Sequence, residues 1–199
     1  MDDTQYIFLD APTVQRLIVE RTGQDSYRND ELVTATLLSK FCEKMWATKC
    51  AIGFPIKDSE TSSIPRVGTS DIASIKEILN RKMKQSHDVD AVVVEHTPDN
   101  PRRMGRAFQI KYFNNKQPDM STDGLIKFIQ GLLYAKTDTA LVVLLATGGP
   151  VQFSRIRASI DFKKFSFSAL YFVGLYGNIL KLIEVWPGMG KDEVPWPST

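Results

Sequence analysis

Three polar residues stand out by type and spacing. Asp90 heads the apolar run AVVV, and 19 residues later Gln109 and Lys111 alternate with Phe108, Ile110 and Tyr112 in the segment FQIKYF. Alternate side chains of an extended strand share a face, so Gln109 and Lys111 point one way and the three apolar residues the other. If the two segments are paired strands, Asp90, Gln109 and Lys111 meet at one end of a sheet. A carboxylate oxygen, an amide oxygen and an ammonium group in that arrangement suit Mg²⁺ or Mn²⁺, hard cations that take oxygen ligands and keep waters, one of which can be set against a phosphodiester. Beside Asp90 the lysine stays charged, because an ion pair at ~4 Å and an effective dielectric of ~20 gains about 4 kcal/mol. Its role is then to place and stabilise the nucleophilic water rather than to arrive as a free base.

A further acid strengthens such a site. Glu31, Ala35, Leu38, Cys42 and Met45 are spaced four, three, four and three, which lays them along one stripe of a helix with Glu31 at its head. A carboxylate on a core-facing stripe is neutralised by desolvation unless a cation or metal is close. Glu43, at the margin of the stripe, is the second choice for the helix acid, and its plain alternative is a solvated acid beside Lys44.

The elements that must position these groups follow from periodicity and punctuation. The spacing predicts a short helix over 11–21 and a second over 30–48, then a strand over 50–56 and a loop over 57–70. A helix over 71–85 carries Ile72, Ile75, Ile78 and Leu79 at helical intervals. Strands over 89–95 and 107–113 read as antiparallel neighbours, joined by the turn-rich connection HTPDNPRRMGR. A helix over 123–136, a doubly buried strand over 140–146, a helix over 154–160 and strands over 168–176 and 179–185 complete the chain. The expectation is a mixed α/β sheet domain flanked by helices, a single domain over 1–199 with its core at about 30–147 and a C-terminal extension over 150–199 ending in an appended hairpin.

Taken together, the Asp90 segment and FQIKYF resemble the PD-(D/E)XK nuclease superfamily, the restriction-endonuclease-like fold. In that superfamily a helix acid precedes a strand, then come a strand aspartate, an (E/Q)xK strand, a helix and another strand. The resemblance, over about residues 30–147, implies that Asp90 is the strand aspartate, Gln109 the variable acid or amide, Lys111 the lysine and Glu31 the helix acid. The glutamine form is similar to the branch that includes Mrr-like restriction enzymes and some Holliday-junction resolvases. Two departures stand beside it: His87, Asp88 and Val89, not proline, lead into Asp90, and a helix is inserted before that strand. The function implied is a metal-dependent DNA endonuclease of restriction or repair type, with Asp90, Gln109 and Glu31 around Mg²⁺ or Mn²⁺ and Lys111 placing the water. Such an enzyme often works as a homodimer that matches the two strands of a duplex.

Other features carry less. Arg102, Arg103 and Arg106 crowd the connection between the two site strands, where they are placed to contact phosphates or to be a plain exposed basic loop. His96 shares the strand face of Asp90 if the strand runs that far, and Gln130 is a polar residue at a helix boundary. Lys163 and Lys164, and the run Arg81, Lys82 and Lys84, read as solvated faces.

Composition narrows the classes. The 199 residues are 43% hydrophobic and 24% charged with a formal charge of +2, an ordinary globular balance without a global field that announces nucleic acid or an anionic membrane. Cys42 and Cys50, with His87 and His96 distant, do not build a zinc site. Acids occupy the N-terminus where a secretory signal carries cations, and the uncharged stretch 165–180 is broken by Ser166, Ser168, Gly174, Gly177 and Asn178. The expected setting is cytoplasmic, away from membranes. No phosphate loop, GxGxxG or GxSxG appears. Two other readings stay open: a module of the same fold that binds nucleic acid or a partner without hydrolysis, and an interaction protein whose terminal hairpin pairs with a partner sheet.

Overall fold

The structure, a computed structural model, describes residues 5–20, 26–56, 75, 89–96, 105–114, 119–132, 138–145, 151–176 and 179–188. The chain is α/β and divides into two compact units, Met1–Phe108 and Gln109–Thr199.

The first unit opens with a strand that the sequence hides. In β1 (Gln5–Asp10) the run Tyr6, Ile7, Phe8, Leu9 is apolar throughout, so no period-two signal separates it from other apolar runs. Ile7 and Leu9 are fully buried, while Phe8 lies on the opposite face across from Gly53. A Cβ on Gly53 would come within 2.7 Å of the Phe8 ring, so the absence of a side chain there is what admits the ring. Asp10 ends the strand and caps α1 (Ala11–Glu20), its carboxylate accepting the Thr13 amide at 2.8 Å.

α2 (Ser26–Trp46) starts four residues before the expected position, because its first turn, SYRN, carries no apolar period to mark it. Residues 34–39 are buried all round, which makes α2 a central helix rather than one with a single apolar stripe. It stops at Trp46 in a Schellman turn: Ala47 takes φ 53°, and the Thr48 amide returns to the Glu43 carbonyl at 3.3 Å. β2 (Cys50–Ile56), β3 (Ala91–Glu95) and β4 (Gly105–Phe113) follow, and β1 to β3 and the first half of β4 pair antiparallel in sequence order. Ile7, Leu9, Val14, Leu17, Leu32, Ala35, Ile52, Phe54 and Ala91 form one core, with Ile75 in it. The expected helix over 71–85 lies outside the described residues apart from Ile75, which is helical and fully buried.

In the second unit, Ser121 caps α3 (Thr122–Gly131), its hydroxyl accepting the Gly124 amide at 3.2 Å. Gly124 is needed there, since a Cβ would strike the backbone carbonyl of Asp119. β5 (Ala140–Leu145) is buried at every position, as expected of a strand covered on both faces. After α4 (Phe153–Ser159), β6 (Leu170–Tyr176) pairs parallel with β5, and β7 (Ile179–Trp186) returns antiparallel to β6. The terminal hairpin is therefore not an appendage, because its first strand pairs directly with β5 in the mixed sheet. Phe113, Leu125, Ile126, Ile129, Leu141, Val143, Leu170 and Phe172 share a core fringed by aromatic rings. Among the described residues, no helix is long and apolar enough to cross a membrane.

Candidate functional site

β3 begins one residue after Asp90, which sits in a bend, half-buried. Its amide donates to the Phe108 carbonyl at 2.9 Å, and the next pair in register is Ala91 with Phe108, both fully buried. The expected antiparallel pairing of the two segments is therefore present through Phe108, with β4 starting two residues earlier than expected. Phe108 is the last residue of the first unit, and the next peptide bond leads to Gln109.

In the second unit, Gln109, Lys111 and Phe113 occupy alternate positions of β4 and so share a face. Phe113 is buried in the core and its ring meets Phe128 of α3 at 5.4 Å. Gln109 and Lys111 thus lie on the side of β4 from which Phe113 meets Phe128, and both are half-buried. A lysine stem laid along apolar surface with its ammonium towards water is the usual way for such a residue to sit.

Glu31 is half-buried on α2, next to Leu32. Leu32 and Ala91 belong to one packed cluster, so Glu31 and Asp90 are each the chain neighbour of a member of that cluster. Along the predicted stripe, Ala35, Leu38 and Cys42 are fully buried as expected, but Met45 is 44% exposed because it falls in the last turn before the helix stops.

Glu43 is not a solvated acid. The β1 ladder ends at Asp10 opposite Ala51, so the Cys50 amide has no strand beside it, and the Glu43 carboxylate reaches down from α2 to accept it at 3.0 Å. Through its carbonyl and its side chain, Glu43 fastens the corner between α2 and β2 twice. No sequence signal marks this contact, because it depends on where β1 stops. Cys50 faces Glu95 directly across β2 and β3, and Glu95 Oε2 is buried with no hydrogen-bond partner among the described residues. Burial pushes the Cys42 thiol up to about 12, with Cys50 and Glu43 adding to the effect and the Arg106 guanidinium opposing it. Burial followed by Glu43 and Glu95 pushes Cys50 up to about 12 as well. Both therefore remain neutral thiols across the physiological range.

Arg106 is a residue of β4, opposite the buried Val93, and not of the connection between β3 and β4 as expected. Arg102 and Arg103 lie outside the described residues, as do Arg81, Lys82 and Lys84. His96 follows the end of β3, its amide donating to the Lys49 carbonyl at 2.8 Å. Gln130 uses its side-chain amide on the Ser159 carbonyl at 3.3 Å, tying α3 to α4. A shallow hollow of about 350 Å³ on α1, lined by Pro12, Gln15, Arg16 and Val19, involves none of the residues singled out by sequence.

Among the described residues, no three His, Cys, Asp or Glu side chains gather to hold a metal ion. The oxygen set expected from the sequence has two carboxylates, Asp90 and Glu31, with an amide as its third member. Compared with known protein families, characterised proteins and solved structures, the chain finds no match in any of the three.

Proposed function

We propose that the chain is a divalent-metal-dependent endonuclease that hydrolyses DNA phosphodiester bonds, of restriction or repair type and of the PD-(D/E)XK kind. The observation that carries this reading is the backbone bond from Asp90 to Phe108, which fastens the aspartate one peptide link away from Gln109, within the order α2, β2, β3, β4, α3, β5. That order is the one the resemblance implies.

The donor set suits a hard cation: the carboxylate oxygens of Asp90 and Glu31 and the amide oxygen of Gln109 belong to half-buried residues, partly dehydrated yet reachable. Asp90, Glu31 and Gln109 would be the residues to hold Mg²⁺ or Mn²⁺, which, if bound, would supply Lewis acidity towards a phosphoryl oxygen. Lys111, the only cation of the set, donates to the attacking water, holds it in line and offsets charge developing on the phosphate. The buried Phe108 and Phe113 flank Gln109 and Lys111 along β4. We further propose a cytoplasmic homodimer, one copy for each strand of a duplex.

Nicking of supercoiled DNA tests the reading. Cleavage is expected with Mg²⁺ or Mn²⁺, abolished by EDTA, and reduced by about 100-fold or more in Lys111→Ala with an unchanged melting temperature. Absence of metal-dependent nicking by the unaltered chain, or equal nicking by Lys111→Ala, sinks it. One residue favours a second reading, a module that binds DNA without cutting it: Gln109 is neutral, and one fewer anion weakens metal capture. That module binds DNA in a salt-sensitive way and is indifferent to Lys111→Ala.

A further inference from the structure

The second unit carries a charge imbalance that the proposed chemistry does not use. From Pro150 to Leu180 the cations are Arg155, Arg157, Lys163 and Lys164, and the single acid is Asp161. All four cations are exposed. Arg155 is spoken for, since its guanidinium meets the Asp123 carboxylate of α3 at 2.7 and 2.9 Å. Arg157 instead donates to a neutral acceptor, the Gly188 carbonyl at 3.5 Å, so it is steered without losing its charge. Asp161 accepts the Lys163 amide at 3.2 Å and stands 3.6 Å from the Lys164 ammonium, whose side chain is 83% exposed. Its carboxylate thus shapes the turn more than it cancels the two lysines.

Beneath these charges the backbone is held by aromatic packing. Phe162 lies flat on Trp186, with centroids 5.3 Å apart and planes 7° from parallel, and Phe165 meets both rings edge-on. Phe162 and Trp186 are each half-buried. Arg157, through Gly188, and Lys163, through its bond to Phe162 in the chain, therefore border one stacked aromatic pair. Cations presented by a framework that is already ordered lose little freedom when they meet a charged ligand. Positive groups on such a framework complement a chain of phosphates.

We propose that α4 and the turn after it form a DNA-backbone contact surface, with Arg157, Lys163 and Lys164 as phosphate-contacting residues. The proposal deepens the nuclease reading and rests on it for the choice of DNA as partner. It gives α4 and the turn through Lys164 a role as substrate grip beside the sheet extension that follows.

The test is fluorescence-anisotropy titration of the full chain with a labelled duplex at ~50 and ~200 mM salt, in EDTA so that nothing is cut. Each lost phosphate contact lowers the slope of log K against log salt by about 0.9, so Arg157→Ala/Lys163→Ala/Lys164→Ala is expected to flatten it by about 2.7. Across that fourfold salt change the unaltered chain should then lose about 40-fold more affinity than the triple variant. Lys163→Ala/Lys164→Ala, which leaves α4 intact, should flatten the slope by about 1.8 and serves if the triple variant melts early. A slope unchanged in either folded variant overturns the surface. If the unaltered chain still nicks DNA in that case, the nuclease reading survives alone. Binding with the expected slopes but without metal-dependent nicking keeps the surface and removes the nuclease, and a chain that neither binds nor nicks overturns both.

Discussion

The two units solve the problem of placing polar groups in opposite ways. In Met1–Phe108 the core is built mainly from aliphatic side chains, and polar groups are drawn into it: Glu43 bonds a strand amide, Glu95 keeps a buried oxygen, and two thiols are held neutral. In Gln109–Thr199 the core is fringed with aromatic rings, and two polar ties between helices, Asp123 to Arg155 and Gln130 to Ser159, lie at the surface, beside a part-buried one from Tyr171 to Glu184. Where order comes from rings packed on rings, surface charge is free to serve a ligand. Where a carboxylate does the fastening, its loss leaves a buried group stranded.

That contrast ranks the substitutions that would break it. Phe172→Ala, at a residue 1% exposed whose ring meets Phe153 at 5.3 Å, should cost about 3–5 kcal/mol in urea unfolding. A loss under about 1 kcal/mol would show that the rings do not hold the second unit. Glu43→Ala strands the Cys50 amide and should cost about 1–3 kcal/mol, with Glu43→Gln recovering part of it by keeping an acceptor oxygen. At the same corner, Ala47→Gly relieves a left-handed backbone and should stabilise by about 0.5–1 kcal/mol, seen as a raised melting temperature. Smallest of all, Arg155→Ala removes an ion pair whose side chains are 50% and 53% exposed, and should cost about 0.2–1 kcal/mol, fading in high salt. If Glu43→Ala proves no costlier than Arg155→Ala, the two units do not differ in the way argued.

Local chemistry made much of the architecture legible. β2 was bounded at both ends by Lys49 and Lys57, and the run ALVVLL, short and apolar throughout, suited a strand covered on both faces. β1 was not legible, because uniform apolarity carries no period and only Gly53, distant in sequence, reveals which face Phe8 takes. Met45 was misjudged because a helical stripe says nothing about where the helix outruns its core, and Arg106 because the turn-rich connection gave no sign that the strand had begun. Of the site, residue types and their order were readable, as was the strand pairing that fastens Asp90. The double role of Glu43 was not, since it requires knowing that a neighbouring strand has ended.

The pairing of β5 with β6 has one more consequence, for the birth of the chain. Antiparallel neighbours can zip as soon as a short turn is made, but a parallel partner waits for a crossover, here residues 146–169. During synthesis the wholly apolar ALVVLL therefore leaves the ribosome well before the strand that will shield it. Crowding of nascent or refolding molecules during that interval is where this protein is most exposed to clumping, and dilution or a holdase chaperone should raise its yield.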